Sequence, residues 1–147
     1  MSKPKIYLAS PFFNEFEVQC LERAEKLLFG RGFRVFSPRL NEVRDEITSK
    51  DPVWSMETFL NDRRFIDWAD VVVMLYHGCY SDSGTAWECG YAYGTRTPVV
   101  AVHIGKDPAN GSNLMVHESA HANITLDELA TYDFEAMPAK RYRGVMF

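Results

Sequence analysis

A glutamate near the middle of this chain is the residue best placed to react with a small molecule. Glu88 lies in the segment 81–94, shortly after the most hydrophobic run of the sequence, 71–76. The pattern predicts a helix there, which Asp82 or Ser83 can cap, and it puts Glu88 in the second turn. Helical side chains lean towards the N-terminus, so the carboxylate should pass over Gly84, where space is free. The alternative is an ordinary solvated side chain, but the small residue and the position favour a carboxylate that faces a ligand.

A second carboxylate, Asp62, belongs to the predicted helix before that hydrophobic run. Its neighbours three and four positions away include Phe59, Phe65 and Ile66, so it shares a helix face with apolar side chains. Burial there would raise the pKa of Asp62 and suit it to give a proton to a leaving group near neutral pH. A salt bridge to a distant Arg or Lys explains the residue equally well. Two carboxylates in different environments are the groups that cleave a glycosidic bond, one as nucleophile and one as acid.

The surrounding pattern predicts alternating strands and helices that position both carboxylates. Apolar runs indicate strands at 5–9, 33–36, 71–76 and 98–103, and a last small strand–helix pair at 123–130. Helices are predicted between the strands, the first with Asn14 as its cap and Gly30 as its stop. This order is typical of an α/β flavodoxin-like three-layer sandwich with a parallel central sheet of about five strands. In such sheets ligands bind beyond the carboxyl ends of the strands.

Length and composition fit one folded domain in a reducing compartment. The chain has 147 residues, of which 46% are hydrophobic, so residues 1–147 are predicted to form a single domain. A net charge of -4 gives no broad cationic surface for a nucleic acid polymer or an anionic membrane. The first apolar stretch is too short for a signal peptide or a membrane span, which predicts a cytoplasmic protein. Three cysteines without paired spacing, Cys20, Cys79 and Cys89, fit reduced thiols.

The sequence motifs predict neither a cofactor nor a metal. The chain has no Walker-type phosphate loop and no dinucleotide G-x-G-x-x-G, and its predicted ligand loops carry no cluster of Arg or Lys. The segment His117-Glu118-Ser-Ala-His121 fits the H-E-x-x-H zinc protease pattern, with Glu118 as base. The segment is short and lacks an evident third ligand, so a structural role is favoured. His77 and His103, at predicted strand ends, could bind a ligand, although histidines satisfied by backbone groups are commoner.

Several segments taken together resemble one enzyme family. They are Lys5-Ile-Tyr-Leu-Ala9, Asn61-Asp62, Asp82-Ser-Gly-Thr-Ala-Trp-Glu-Cys-Gly-Tyr-Ala92, Asn113-Leu-Met115 and the ending Tyr142-Arg-Gly-Val-Met-Phe147. In this order, over nearly the whole chain, they resemble the nucleoside 2-deoxyribosyltransferases. The resemblance implies exchange of the base on a 2′-deoxynucleoside through a covalent deoxyribosyl-enzyme, without a metal or phosphate. Its partners would be small-molecule 2′-deoxynucleosides and free nucleobases.

The resemblance assigns steps of this reaction to three residues. Glu88 matches the family's nucleophile, whose carboxylate attacks C1′ while the base departs. A second base then attacks from the vacated side, which gives net retention by two displacements. Asp62 would protonate the leaving base and accept a proton from the incoming one. Tyr7 matches the tyrosine that positions the nucleophile.

Further residues match substrate-binding positions of the family. Asp82 matches the ligand of a sugar hydroxyl, and Gly84 lies close by on the predicted floor of the site. Asn113 and Met115 match residues that reach into a neighbouring subunit's site, so the resemblance implies a homo-oligomer built from dimers, commonly a hexamer. The family often ends in a tyrosine whose terminal carboxylate approaches the site. Here Phe147 keeps that carboxylate and lacks the hydroxyl.

The sequence leaves the base preference and two alternative functions open. The base-contacting loop around Asn41 and Glu42 and the segment 10–13 differ from the better-known members of the family, so exchange of purines alone or of purines and pyrimidines is open. A related N-glycosidase would hydrolyse deoxynucleosides or deoxynucleotides, although Asp82 would repel a 5′-phosphate. A nucleoside-sensing module without turnover is the other alternative, and it would leave the paired carboxylates without a purpose.

Overall fold

A parallel sheet of five strands organises the residues that the computed structural model describes, which are 2–43, 51–78, 82–105 and 111–147. The strands are β1 (Lys5–Ala9), β2 (Arg34–Phe36), β3 (Val71–Tyr76), β4 (Val99–His103) and β5 (Ala122–Thr125). The helices are α1 (Glu15–Gly30), α2 (Pro52–Trp68), α3 (Ser83–Gly94) and α4 (Leu114–Ser119), with short 3₁₀ turns at Pro38–Leu40 and Glu128–Ala130. The strand order is β2-β1-β3-β4-β5 with every pair parallel, which confirms the predicted α/β flavodoxin-like sandwich.

Strand β3 lies at the centre of the sheet between β1 and β4, and both of its faces are covered. All six of its residues are buried, as the uninterrupted apolar run predicts. Its alternate residues belong to two separate cores, one closed by α1 and the other by α2 and α3. Tyr7 of β1 lies in the second core. Its side chain is therefore on the side of the sheet that α3 covers.

Side-chain caps begin the helices where the sequence predicts them. Oδ1 of Asn14 accepts a backbone hydrogen bond at 2.9 Å and starts α1. Of the two candidates for α3, Asp82 is the cap, since its Oδ2 accepts from the backbone N–H of Thr85 at 2.8 Å. The cap fixes the first turn of α3 at the carboxyl edge of the sheet. Glu88 follows in the second turn, as predicted.

Some of the remaining sequence predictions can be compared with the structure, and others fall on residues that it does not describe. Cys20 and Cys89 are free thiols, as expected. Cys79 and Ser81 lie outside the described residues, as do 44–50 and 106–110 in the predicted ligand loops. In the described part of the chain, no helix has both the length and the apolar character that crossing a membrane requires.

Candidate active site

A cavity of about 290 Å³ opens beyond the carboxyl ends of β1 and β2. Its wall includes residues of the loops after both strands, of α2 and of the first turns of α3. The sheet order changes direction between β1 and β3, and ligands of such sheets bind at this switch point. The cavity brings together Glu88, Asp62 and Asp82, three of the predicted site residues.

Glu88 reaches this cavity from α3, and Tyr7 holds its carboxylate. The fully buried hydroxyl of Tyr7 donates a hydrogen bond to Oε2 of Glu88. Burial raises the pKa of Glu88 to about 8. The hydrogen bond from Tyr7 opposes this rise, and the negative charges of Asp62 and Asp82 add to it. Burial, and then the charge of Glu88, raise the pKa of Tyr7, so its hydroxyl stays protonated and acts as a donor.

Asp62 faces the same cavity from α2. Burial raises the pKa of Asp62 to about 6, which confirms the effect predicted from its apolar helix face. No described residue forms a salt bridge with the Asp62 carboxylate, so the described part of the chain gives the salt-bridge alternative no support. Asp62 is therefore a half-buried carboxyl group that changes its protonation close to neutral pH.

The two carboxylates together hold one proton around neutral pH. Their pKa values of about 6 and about 8 mean that both are protonated in more acidic solution and both are ionised in more alkaline solution. Between these limits one carboxylate and one carboxylic acid face the same cavity. The proton lies mainly on Glu88, whose pKa is the higher, and the less populated one-proton form, with Glu88 ionised and Asp62 protonated, offers a nucleophilic oxygen and a proton donor at the same time.

Asp82 has a capping role and also lines the cavity. Its Oδ2 accepts hydrogen bonds from the backbone N–H and the hydroxyl of Thr85, both at 2.8 Å. Gly84 lies next to this carboxylate, since a Cβ at position 84 would stand 3.2 Å from Oδ2 of Asp82. Gly84 itself lies outside the cavity wall. Its small size leaves room for the Asp82 carboxylate, and Oδ1 of Asp82 is left for another donor.

Among the wall residues that sequence reasoning missed are Trp54 and Thr58. Both line the cavity from α2, together with Asn61 and Asp62. The spacing of these four positions follows the helical repeat, so counting back from Asp62 by four and by eight would have found them. The Thr58 hydroxyl is buried and has no hydrogen-bond partner within the described ranges.

Aromatic rings form the apolar part of the wall. Phe12 and Phe13 stack with their ring centroids 6.0 Å apart, in the segment after β1. Phe13 is 79% exposed, so one face of this stack is open to solvent. These rings offer a flat apolar surface to a planar ligand at the mouth of the cavity.

Asn113, Met115 and Phe147 lie together on another face of the molecule. Oδ1 of Asn113 caps α4 by accepting from the backbone N–H of Met115 at 2.9 Å, and the backbone of Phe147 is hydrogen-bonded to the segment around residues 112–114. Asn113 and Met115 line a groove of about 690 Å³ between α3 and α4, which does not include the two carboxylates. Met115 is 72% exposed. The structure therefore does not bring these residues into the carboxylate cavity of their own chain.

The H-E-x-x-H segment does not adopt the geometry of a helical zinc site. Helix α4 ends at Ser119, so His117 and His121 do not share a helix face. His117 is buried, whereas the ring of His121 donates to the backbone oxygen of Met137 at 2.6 Å. Across the ranges that the structure describes, no group of three or more His, Cys, Asp and Glu side chains could hold a metal ion.

His77 and His103 lie at the ends of β3 and β4, as predicted, but outside the wall of the carboxylate cavity. Nε2 of His103 donates to Oδ1 of Asn123 at 2.8 Å, and its ring stacks on Tyr142. The ring of His77 meets Phe16 edge-on at 5.9 Å. Burial lowers the pKa of both histidines and favours their neutral form.

Comparison with known proteins identifies similar sequences and structures. The family profile described as nucleoside 2-deoxyribosyltransferase matches residues 6–127. A solved 2-deoxyribosyltransferase from the psychrotolerant bacterium Bacillus psychrosaccharolyticus is 38% identical, and the match covers 95% of this chain and 99% of that one with a TM-score of 0.85. Among curated protein sequences, none matches this chain.

Two more distant structures share the fold. A 2-deoxyribosyltransferase from Leishmania mexicana is 18% identical over 80% of this chain and 73% of its own, with a TM-score of 0.54. A CMP N-glycosidase from Clostridium botulinum is 17% identical over 87% of this chain and 99% of its own, with a TM-score of 0.59. At these identities the likeness concerns the fold alone.

Proposed function

This chain belongs to the nucleoside 2-deoxyribosyltransferase family, and we propose that it moves 2-deoxyribose between nucleobases through a covalent deoxyribosyl-glutamate. The observation that carries the proposal is the meeting of Glu88 and Asp62 in one cavity, with Tyr7 hydrogen-bonded to Glu88. The substrates are small 2′-deoxynucleosides and free bases, and residues 1–147 act as one domain.

In the first half-reaction the Glu88 carboxylate attacks C1′ of the bound 2′-deoxynucleoside. A bond forms between a carboxylate oxygen and C1′ while the bond from C1′ to the base nitrogen breaks, and the electron pair of the broken bond stays with the base. Asp62 gives its proton to the departing base, which leaves as a neutral molecule. A glutamyl ester of deoxyribose and an ionised Asp62 remain.

The second half-reaction runs the same steps backwards with another base. The incoming base nitrogen attacks C1′, the ester bond breaks, and its electron pair returns to the Glu88 carboxylate. Asp62 accepts the proton that the incoming base loses, so both carboxyl groups regain their starting states. Two displacements at C1′ give net retention of configuration.

Tyr7 supports this chemistry as a positioning residue. Its hydroxyl donates to Oε2 of Glu88, whereas Oε1 accepts no hydrogen bond from the described residues. Oε1 is therefore the oxygen free to attack C1′. The same hydrogen bond favours the ionised carboxylate, which the nucleophile needs.

In this proposal Asp82 binds the deoxyribose. Asp82 uses Oδ2 to cap α3, and its Oδ1 can accept a hydrogen bond from a hydroxyl of the deoxyribose. A sugar without a 2′-hydroxyl supports positive charge at C1′ more readily than ribose does. A carboxylate nucleophile and one acid group can therefore cleave its glycosidic bond.

We further propose that the functional unit is a homo-oligomer built from dimers. Asn113, Met115 and Phe147 lie apart from the cavity of their own chain, on a face where Met115 is 72% exposed and Phe147 is 53% exposed. Association through this face would bury these apolar side chains and bring Asn113 and Met115 to a neighbour's cavity.

The direct test is exchange of a labelled base. The protein is incubated with 2′-deoxyadenosine and isotopically labelled adenine, and labelled deoxyadenosine is followed by chromatography and mass spectrometry. The wild type should incorporate the label, and Glu88→Gln should lose at least about a thousandfold in rate because the amide is a poor nucleophile. Glu135→Gln, an exposed change outside the cavity, should keep the wild-type rate.

The outcomes separate this proposal from its alternatives. Intact-mass spectra of rapidly quenched wild type should show the added mass of a deoxyribosyl group, and Glu88→Gln should lack it. Undiminished exchange by Glu88→Gln would remove the assignment of the nucleophile. Release of free base without exchange would favour a hydrolase, and binding without either reaction would favour a sensing module.

A further inference from the structure

The end of the cavity beside Asp62 is formed by neighbouring residues of α2 and of the loop after β2. Nδ2 of Asn61 donates to the backbone oxygen of Asn41 at 3.5 Å, which ties that loop to the residue preceding Asp62. Asn41, Glu42, Asn61 and Asp62 all line the cavity. Because a base must lie beside the group that protonates it, these residues are the neighbours of the bound base.

The side chains at this end include one charged hydrogen-bond acceptor, the carboxylate of Glu42. Nδ2 of Asn41 donates to the backbone oxygen of Ser37 at 2.8 Å, and Nδ2 of Asn61 is turned to Asn41. Each amide therefore has its Oδ1 and one further N–H left for a ligand. Glu42 adds a carboxylate, which accepts only, and no described residue forms a hydrogen bond or an ion pair with it.

Two other groups of the wall can donate. The Thr58 hydroxyl is buried without a partner among the described residues, and a hydroxyl can donate or accept. The indole N–H of Trp54 can only donate. Both are neutral, whereas Glu42 is charged, and hydrogen bonds to a charged acceptor are about twice as strong. The carboxylate therefore dominates the choice of ligand.

A buried ion pair fixes the loop that carries these acceptors. Arg39, in the 3₁₀ turn after β2, donates from Nε to Oε1 of Glu25 at 2.8 Å, and its Nη2 lies 2.7 Å from the same oxygen. The Glu25 side chain is 5% exposed. The turn is closed by backbone hydrogen bonds from Leu40 to Ser37 and from Asn41 to Pro38. Asn41 and Glu42 thus follow an anchored turn.

We propose that Glu42, with Asn41, makes this enzyme select bases that carry an exocyclic amino group over the corresponding keto bases; this inference rests on the proposed base exchange. Adenine and cytosine present an amino donor where hypoxanthine and uracil present a carbonyl oxygen. The amino group donates a hydrogen bond to the Glu42 carboxylate. A carbonyl oxygen at the same place would meet another acceptor and leave both without a donor.

The discrimination should be moderate in size. A site that buries its hydrogen-bonding groups can reject the wrong partner by about 10⁴-fold or more. Glu42 is exposed at the cavity mouth, where water can satisfy a group that the ligand leaves unpaired. A preference of about tenfold is therefore the expected scale.

The experiment is a competition between two acceptor bases. The enzyme receives 2′-deoxyguanosine as donor and an equimolar mixture of adenine and hypoxanthine, and the initial ratio of deoxyadenosine to deoxyinosine is measured. Both products come from the same deoxyribosyl-enzyme, so their ratio reports the choice of acceptor alone. Glu42→Gln is the informative variant, because its amide has the same shape and can donate to a carbonyl oxygen. Glu135→Gln is the matched control.

The wild type should form about ten times more deoxyadenosine than deoxyinosine, and Glu42→Gln should bring the ratio close to one. Glu135→Gln should keep the wild-type ratio. Equal use of the two bases by the wild type, or an unchanged ratio in Glu42→Gln, would overturn the inference while base exchange itself stands. Absence of any transfer by the wild type would overturn the proposed function and this inference with it.

Discussion

The hydroxyl of Tyr7 donates a hydrogen bond to Oε2 of Glu88, although the two residues lie 81 positions apart in the chain. Strand β1 carries Tyr7 on the side of the sheet that α3 covers, and Glu88 meets it from α3. The contact stabilises the ionised carboxylate against the burial that raises the pKa of Glu88 to about 8. In the proposed mechanism, the nucleophilic form of Glu88 therefore depends on one buried hydroxyl.

Replacing Tyr7 by Phe should slow exchange and change its pH dependence in a defined direction. In the wild type, kcat/KM should follow a bell with limbs near pH 6 and pH 8, because the active form holds one proton between the two carboxylates. Without the hydroxyl the pKa of Glu88 rises, so the alkaline limb moves to higher pH. The maximum should fall by about 10- to 100-fold, the usual worth of a hydrogen bond to a charged group.

The measurement is a pair of pH profiles for labelled-adenine exchange. Tyr91→Phe is the control, because it removes a hydroxyl that donates to Asp67 at 2.6 Å, outside the cavity wall. Its profile should match the wild type. A Tyr7→Phe profile with an unmoved alkaline limb would contradict the stabilising role of this hydrogen bond.

Replacing Asp62 by Asn should remove the proposed acid, and the alkaline limb should disappear because the variant no longer needs the one proton that the pair holds. The rate with 2′-deoxyadenosine should fall by on the order of 10²–10⁴-fold, because the base must then leave without its proton. Activity should rise with pH through the pKa of Glu88 and stay level above it. The pKa of Glu88 should also be lower than in the wild type, because the charge of Asp62 no longer raises it.

A donor that needs no acid provides the control for Asp62→Asn. In 2′-deoxyguanosine methylated at N7, the base is already cationic and leaves without protonation. With this donor, the exchange rate of Asp62→Asn should be only slightly lower than that of the wild type. An equally large loss on both donors would mean that Asp62 serves the structure of the site rather than proton transfer.

Local patterns account for the parts of this molecule that the sequence predicts. The apolar run 71–76 predicts β3 because a strand that is covered on both faces carries apolar side chains at every position. The rise in the pKa of Asp62 also follows from near neighbours, since residues three and four positions away share its helix face. In both cases the signal lies within one element.

Contacts between distant segments are the parts that spacing alone does not reveal. The partnership of Tyr7 with Glu88 is implied by the family resemblance and not by any pattern between the two positions. The pKa of Glu88 exceeds that of Asp62 because burial depends on how α3 lies over the sheet. Glu25 and Arg39 look like ordinary charged residues until the fold joins α1 to the turn after β2.

Replacing Arg39 by Met should destabilise the protein more at neutral than at acidic pH. The change leaves Glu25 buried without its partner and should cost about 2 to 3 kcal/mol of unfolding free energy at neutral pH. Burial already raises the pKa of Glu25, and loss of Arg39 raises it further. A raised folded-state pKa gives stability that is present below the unfolded value, about 4.3, and lost as pH rises through the folded value. The deficit relative to wild type should therefore grow with pH.

Chemical unfolding at about pH 4 and at about pH 8 measures this deficit. Glu25→Met combined with Arg39→Met is the matched control, because it leaves no buried charge and should recover most of the stability at the higher pH. A deficit that is equal at both pH values would show that Arg39 contributes packing rather than charge.

Mixing two inactive variants should restore activity if Asn113 serves a neighbour's cavity. Glu88→Gln removes the proposed nucleophile. Asn113→Ser keeps an oxygen that can cap α4 and loses the amide. After the two proteins are unfolded together and refolded, half of randomly formed dimers are mixed, and one of the two sites in each mixed dimer has both native residues. About a quarter of the wild-type activity should therefore return. If Asn113 acted in its own chain, each site would still carry one defect in every dimer, and mixing would restore nothing.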